Sequence, residues 1–226
     1  MIYSYLLYPL VKRQWDPAYE LFNEMKNDGI HPDLVAYNAL IGAGMAADKP
    51  MEVCDLWHEM CKQSSNQKGK KVSPDIVTLT EVIATLDSAA GNVKGVKANR
   101  ERVDEIFVEA VERGLILRKD SLDTSWEVDL SCMSFPIARA ACRYIFRQIT
   151  ERSLSSAEND DEDDNEVKDL NLITGAHSRM REYVRGVLRD ELRPAVYCTV
   201  PKMEQGTLLV KKQMMQNYIN GQAKQK

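Results

Sequence analysis

The chain has 226 residues, 44% of them apolar and 28% charged, with a formal net charge of −4 at pH 7. That length allows one large or two small domains, and two are expected. No apolar run approaches the roughly 18 residues needed to cross a bilayer, so membrane insertion is not expected, and five cysteines without a C-x-x-C pair suggest neither a disulfide framework nor a zinc site.

The opening, MIYSYLLYPLVKRQW, is apolar and aromatic but has no basic head and no clear small-residue cleavage site. It is read as a first helix rather than a signal peptide, and any transit peptide lies outside these residues. Asp16-Pro17 fits an N-cap followed by proline at the first helical position. Ala18, Leu21, Phe22 and Met25 then share one helical face, and Gly29 ends the helix.

The stretch GIHPDLVAYNALI, residues 29–41, returns in outline as VSPDIVTLTEVI, residues 72–83. Each copy has a small loop, Pro-Asp, an apolar pair and the first turn of an apolar-periodic helix. Between them, Val53, Leu56, Trp57 and Met60 mark the face of another helix. Self-similarity at this spacing predicts a solenoid, in which each helix pair buries its apolar face against its neighbours. The fragments AYELFNEMKNDGIHPD and VAYNALI resemble the pentatricopeptide repeat, a helix pair of about 35 residues found in organellar RNA-binding proteins. The tetratricopeptide repeat is the nearest rival, but its aromatic and Leu-Gly pattern in the first helix is missing.

Counted from this resemblance, a first unit opens almost at Met1 and closes at Asp33. A second runs from Leu34 to Asp75, about seven residues longer than usual, with the excess in CKQSSNQKGKKVS. Its lysines, Lys62, Lys68, Lys70 and Lys71, are read as a solvated insertion ahead of a flexible phosphate contact. A third has helices in DIVTLTEVIATLDSAA and NRERVDEIFVEAVERG, with Val103, Ile106, Phe107, Ala110 and Val111 buried, and ends near Leu117 without a further Pro-Asp.

In the family that these units resemble, one base is read per repeat by the fifth residue of the first helix and the last residue of the unit. The resemblance assigns Asn38 and Asp75 to the second unit, a pairing associated with uridine. The third offers Thr80 with a residue near Arg118, and the first Tyr3, both outside the usual code. The plainer reading makes Asn38 a polar residue near a helix start and Asp33 and Asp75 N-caps.

From Trp126 the period changes. WEVDLS, DLNLITG, AVYCTV and TLLVKK read as strands, and Phe135 to Thr150 and Arg179 to Leu192 as helices. Strand, helix, strand, helix, strand, strand predicts a two-layer α/β domain whose first strands are parallel. EVDLS, NLITGAHS and QGTLLVKKQMMQNYI resemble the small MutS-related domain, which pentatricopeptide arrays are known to carry at the C-terminus.

Nuclease activity in some members of that family is tied to Leu-Asp-x-His and Thr-Gly-x-Gly. Here the first reads Val128-Asp129-Leu130-Ser131 and the second Thr174-Gly175-Ala176-His177. Asp129 with His177 is the only support for cleavage, and the plain alternative is a structural acid and a surface histidine. Binding rests on Thr174, Gly175, Arg179, Arg181, Arg185 and Arg189, a turn feeding a basic helix suited to phosphate; the alternative is a solvated face with i, i+4 pairs.

SSAENDDEDDNEVK holds seven acids between Glu158 and Glu166, so residues 121–226 carry −1, or +6 with those acids set aside. An acidic surface loop at 155–168 on a basic domain is expected. The expected architecture is a short right-handed α-solenoid of helix hairpins, residues 1–120, followed by a two-layer α/β domain, residues 121–226. The resemblances imply an organellar factor, chloroplast or mitochondrial, that binds single-stranded RNA and supports its processing, stability or translation. No cofactor and no metal are expected. The alternatives are a non-catalytic scaffold subunit gripping protein partners in a ribosome, RNA polymerase or photosynthetic complex, and an RNA endonuclease.

Overall fold

The structure is a computed structural model and describes residues 15–66, 72–88, 96–117, 126–156, 167–175 and 178–224. The chain divides into two compact units, Met1–Ile106 and Phe107–Lys226.

The first unit contains α1 (Trp15–Asn27), α2 (Leu34–Ala46), α3 (Pro50–Asn66), α4 (Ile76–Ser88) and the start of α5 (Val96–Glu112). The first stripe is buried as its spacing predicts at Ala18, Phe22 and Met25, with Trp15 added and Leu21 half-buried. Gly29 ends α1 in a left-handed conformation, φ +73°. Its N–H donates to Lys26 O at 3.1 Å and that of Ile30 to Met25 O at 3.0 Å, which satisfies the last-turn carbonyls. Gly114 closes α5 with the same pair of bonds, to Val111 O and Ala110 O.

Helix α2 packs on α1, α3 and α4, so it is the centre of this unit. Its sequence allows the closeness: a Cβ at Gly44 would stand 2.5 Å from Val53 Cγ2 and 2.9 Å from the Trp15 ring. Trp57, Tyr37 and Phe22 are fully buried, each contributing about 1.5–3 kcal/mol of transfer free energy. A buried tyrosine needs a partner for its hydroxyl. Tyr37 donates to Glu59 Oε1 at 2.7 Å, while Gln63 donates to Tyr37 at 2.8 Å and Lys26 holds the same Glu59 oxygen at 2.8 Å. Burial, reinforced by the Glu59 carboxylate, pushes the Tyr37 phenol well above its ordinary pKa.

In the second unit β1 (Glu127–Asp129) pairs with β2 (Leu170–Ile173) in parallel, and β2 pairs with β3 (Thr207–Val210) antiparallel, in the order β1-β2-β3. The parallel pair is joined through α6 (Phe135–Ser156), as the crossover rule requires. Val128, Leu170, Leu172, Leu208 and Val210 bury one face of the sheet. Helix α6 packs on α7 (Ser178–Asp190) and α8 (Lys212–Ala223), and α7 on β3.

Two features depart from the sequence reading. AVYCTV is not a strand: only Thr199 pairs, with Leu209, through bonds of 2.9 and 2.8 Å. Pro194 and Pro201 flank the segment, and a proline has no N–H to extend a ladder. Helix α8 departs from the strand reading of TLLVKK: Lys211 at its N-cap has no side-chain acceptor and makes no capping bond, so the sequence carries no start signal there. Asp169, just before β2, supplies the cap: Oδ1 accepts from Lys212 N at 2.7 Å and Oδ2 from Lys211 Nζ at 2.8 Å. Those bonds hold the Asp169 carboxyl below its ordinary pKa.

Candidate nucleic-acid interface

In the first unit, Asp33 and Asp75 are both helix caps. Asp33 Oδ1 accepts from Ala36 N at 2.9 Å, and Asp75 Oδ1 from Thr78 N at 2.8 Å. The second cap carries an addition that the sequence reading missed. Thr78 is buried, and its hydroxyl lies 2.9 Å from Asp75 Oδ1 and 2.7 Å from Asn38 Oδ1 on α2. Asp75 N also donates to this hydroxyl, at 3.2 Å. Asn38 and Asp75 are thus brought to one place, and the seven-residue excess ahead of Asp75 does not separate them. The hydroxyl has one proton for its two acceptors; given to Asn38 Oδ1, the shorter contact, it orients the amide so that Nδ2 faces away from Thr78. The only sequence signal for this link was a threonine three residues after Pro-Asp, a capping position.

Helices α2 and α4 both expose an aliphatic side chain in the first turn. Val35 is 55% exposed and Val77 51%, each on the first turn of its helix after Pro-Asp. Val35 stands three residues before Asn38, hence on the same face of α2. Glu81, one turn beyond Val77, has an unpartnered, buried Oε2. Burial raises its pKa, and the charge of Asp75 adds to the effect. Thr80 does not join the pair: its hydroxyl donates back to Ile76 O at 2.7 Å. Tyr3, Arg118 and the insertion lysines 68, 70 and 71 lie outside the described residues.

In the second unit the two motif remnants do converge at the strand ends. Leu130 N donates to Ile173 O at 2.8 Å, and a Cβ built on Gly175 would lie 3.4 Å from Ser131 Cβ. Their side chains are otherwise occupied. Asp129 is exposed, and its Oδ1 accepts from Ser131 N at 2.8 Å, a local Asx bond. Thr174 is buried and donates its hydroxyl to Gly206 O at 3.0 Å. His177 lies outside the described residues, and among those described no three His, Cys, Asp or Glu side chains are grouped to hold a metal.

The arginines of α7 do not form one row. Arg181 and Arg185, one turn apart, line an open groove of about 450 Å³ with Glu182, Pro201, Lys202 and Gln205. Arg181 donates to Gln205 O at 2.7 Å and Arg185 to Glu182 at 3.1 Å. Arg185 also hydrogen-bonds Cys198, opposing the upward shift that burial gives that thiol. Arg189 spends both arms of its fork on Asp190, at 2.7 and 2.8 Å. Arg179, two residues before Arg181, stands about 200° around the helix from it and is exposed. Lys202, a single lysine in a loop, carried no sequence signal.

These placements can be set beside known proteins. Residues 5–43 match the PPR repeat family. The matched span runs through α1 and into α2 as far as Ala43, so it includes Asn38 and stops short of Asp75. No curated protein matches the chain. Solved structures that it resembles include the pentatricopeptide repeat protein PPR10 in complex with an 18-nt psaJ RNA element, at 19% identity and a TM-score of 0.31, covering 73% of this chain and 26% of that one. The C256S/C430S/C449S form of PPR10 with the same RNA element gives the same identity, coverage and TM-score. The chain spans about a quarter of the length of these solved chains.

Proposed function

We propose that this protein binds single-stranded RNA, with Asn38 reading a base edge and Asp75, through Thr78, holding Asn38 in place. The observation that carries this reading is the Thr78 hydroxyl 2.7 Å from Asn38 Oδ1 and 2.9 Å from Asp75 Oδ1. With Oδ1 engaged, Asn38 presents its Nδ2 donor, which suits a base with a carbonyl acceptor such as uracil. Val35 and Val77 present apolar surface of the kind that covers the face of an unstacked base. The match of residues 5–43 to the PPR repeat family supports the same class of ligand.

The second unit is read as a small MutS-related domain that contributes phosphate contacts. Its support is the parallel β1-β2 pair, the convergence of Ser131 and Gly175, and the groove with Arg181, Arg185 and Lys202. Work on organellar transcripts, in chloroplast or mitochondrion, follows from the same family reading.

A salt titration of binding to single-stranded RNA tests the phosphate contacts. Arg181→Glu/Arg185→Glu is expected to weaken binding to all sequences and to flatten the dependence of log K on log salt by roughly 0.7 for each phosphate that is no longer neutralised. Unchanged binding by that pair would remove the groove from the interface. Absence of salt-sensitive binding by the wild type would favour the scaffold reading, which the carboxylate partners of Arg185 and Arg189 support.

A further inference from the structure

The flank of α7 opposite the Arg181–Arg185 groove carries an aromatic pair. Phe135, the first residue of α6, follows the Ser134 carbonyl that accepts the first helical bond, from Ala138 N at 2.9 Å. At this position Phe135 is 42% exposed. The ring is stacked on Tyr183 of α7, centroids 4.6 Å apart and planes 22° from parallel. The Arg139 guanidinium sits 5.7 Å from the Tyr183 ring centre and is held by Glu191 at 2.8 Å. Phe135 is therefore a large apolar ring kept at the surface and backed by a second ring whose position is fixed by a cation–π contact and an ion pair. Arg179, exposed and one turn before Tyr183 on the same face of α7, has no partner among the described residues.

An open aromatic face on the same helix flank as an exposed guanidinium is the combination that takes an unstacked base and its phosphate. We propose that Phe135, backed by Tyr183, is a stacking platform for a base of single-stranded RNA, with Arg179 as the adjoining phosphate contact. The proposal takes its ligand class from the RNA-binding reading but not its site: stacking accepts any base, because every base has a π-face, whereas Asn38 selects by a hydrogen-bonding edge.

The test uses the full chain with short single-stranded oligouridine and oligoadenosine. Phe135→Ala is expected to weaken binding to both by about 5- to 160-fold, and Phe135→Trp to keep wild-type affinity. Arg179→Ala should flatten the salt slope by roughly 0.7. Because Phe135 is partly exposed, the thermal midpoint of each variant reports whether the fold is intact. If Phe135→Ala binds both oligomers like the wild type, or Phe135→Trp binds no better than Phe135→Ala, the platform is overturned. A loss of uridine preference in Asn38→Ala alongside unchanged Phe135→Ala overturns the platform alone. Equal weakening of both oligomers by Phe135→Ala, with Asn38→Ala unchanged, overturns base reading at Asn38 and leaves the platform standing. No binding by the wild type overturns both.

Discussion

Helices α2 and α4 each follow a Pro-Asp pair and bury the same six positions. Ala36, Tyr37, Leu40, Ile41, Ala43 and Gly44 of the one correspond to Thr78, Leu79, Val82, Ile83, Thr85 and Leu86 of the other. Both have an aspartate cap and an exposed valine in the first turn. They differ in what the third helical residue does. Ala36 offers only its N–H to Asp33, while Thr78 offers N–H and hydroxyl and so joins its cap to a side chain on the neighbouring helix. A repeated pattern of apolar positions therefore duplicates the packing, and single polar exchanges inside it decide where a binding site is assembled.

The comparison can be broken most severely at its last shared position, where α2 has Gly44 and α4 has Leu86. Leu86→Ala opens a cavity at a fully buried site and is expected to cost about 2–5 kcal/mol in urea unfolding. Gly44→Ala should destabilise in the opposite way, by overpacking. Its Cβ would overlap Val53 and Trp15, both buried, and a strain of about 1–3 kcal/mol outweighs a helix-propensity gain of about 1 kcal/mol.

Thr78→Val keeps the shape and removes the hydroxyl, leaving Asn38 and Asp75 without their bridge. A loss of about 1–2 kcal/mol is expected, with Thr78→Ser restoring most of it. At the first copy Ala36 has no hydroxyl, so Ala36→Thr is the converse exchange; loss of the Asp33–Ala36 cap bond itself is worth about 1 kcal/mol. The smallest effect concerns Glu81. Its folded pKa is raised, so the folded state holds the proton more tightly and stability falls as pH rises from about 4.3, the unfolded value, through the folded one. Glu81→Gln should remove that fall, being more stable than the wild type at neutral pH and no more stable near pH 3.

Much of this was legible from residues. The apolar spacing located Phe22, Trp57, Met60 and Phe107 in the core, and the change of period after Trp126 located the parallel β1-β2 pair. What was not legible depends on partners distant in the chain. The α8 cap comes from Asp169, 43 residues before the N–H it accepts from. The Thr78–Asn38 bond spans 40 residues. The Phe135–Tyr183 stack joins two helices whose sequences mark each ring only as one more apolar residue. For the candidate site, Asn38 and Asp75 were reachable through the family's pairing rule, but the side chain that connects them was not. Arg189 looked like a member of a basic row, and its commitment to Asp190 is a matter of geometry.

The most direct test of base reading is the affinity of the wild type and of Asn38→Ala for oligouridine and oligoadenosine, measured at one fixed salt concentration. The wild type should prefer uridine, and Asn38→Ala should lose about 1–3 kcal/mol of that discrimination while its affinity for oligoadenosine stays the same. Equal affinity of the wild type for both, or a uridine preference that survives in Asn38→Ala, would contradict it.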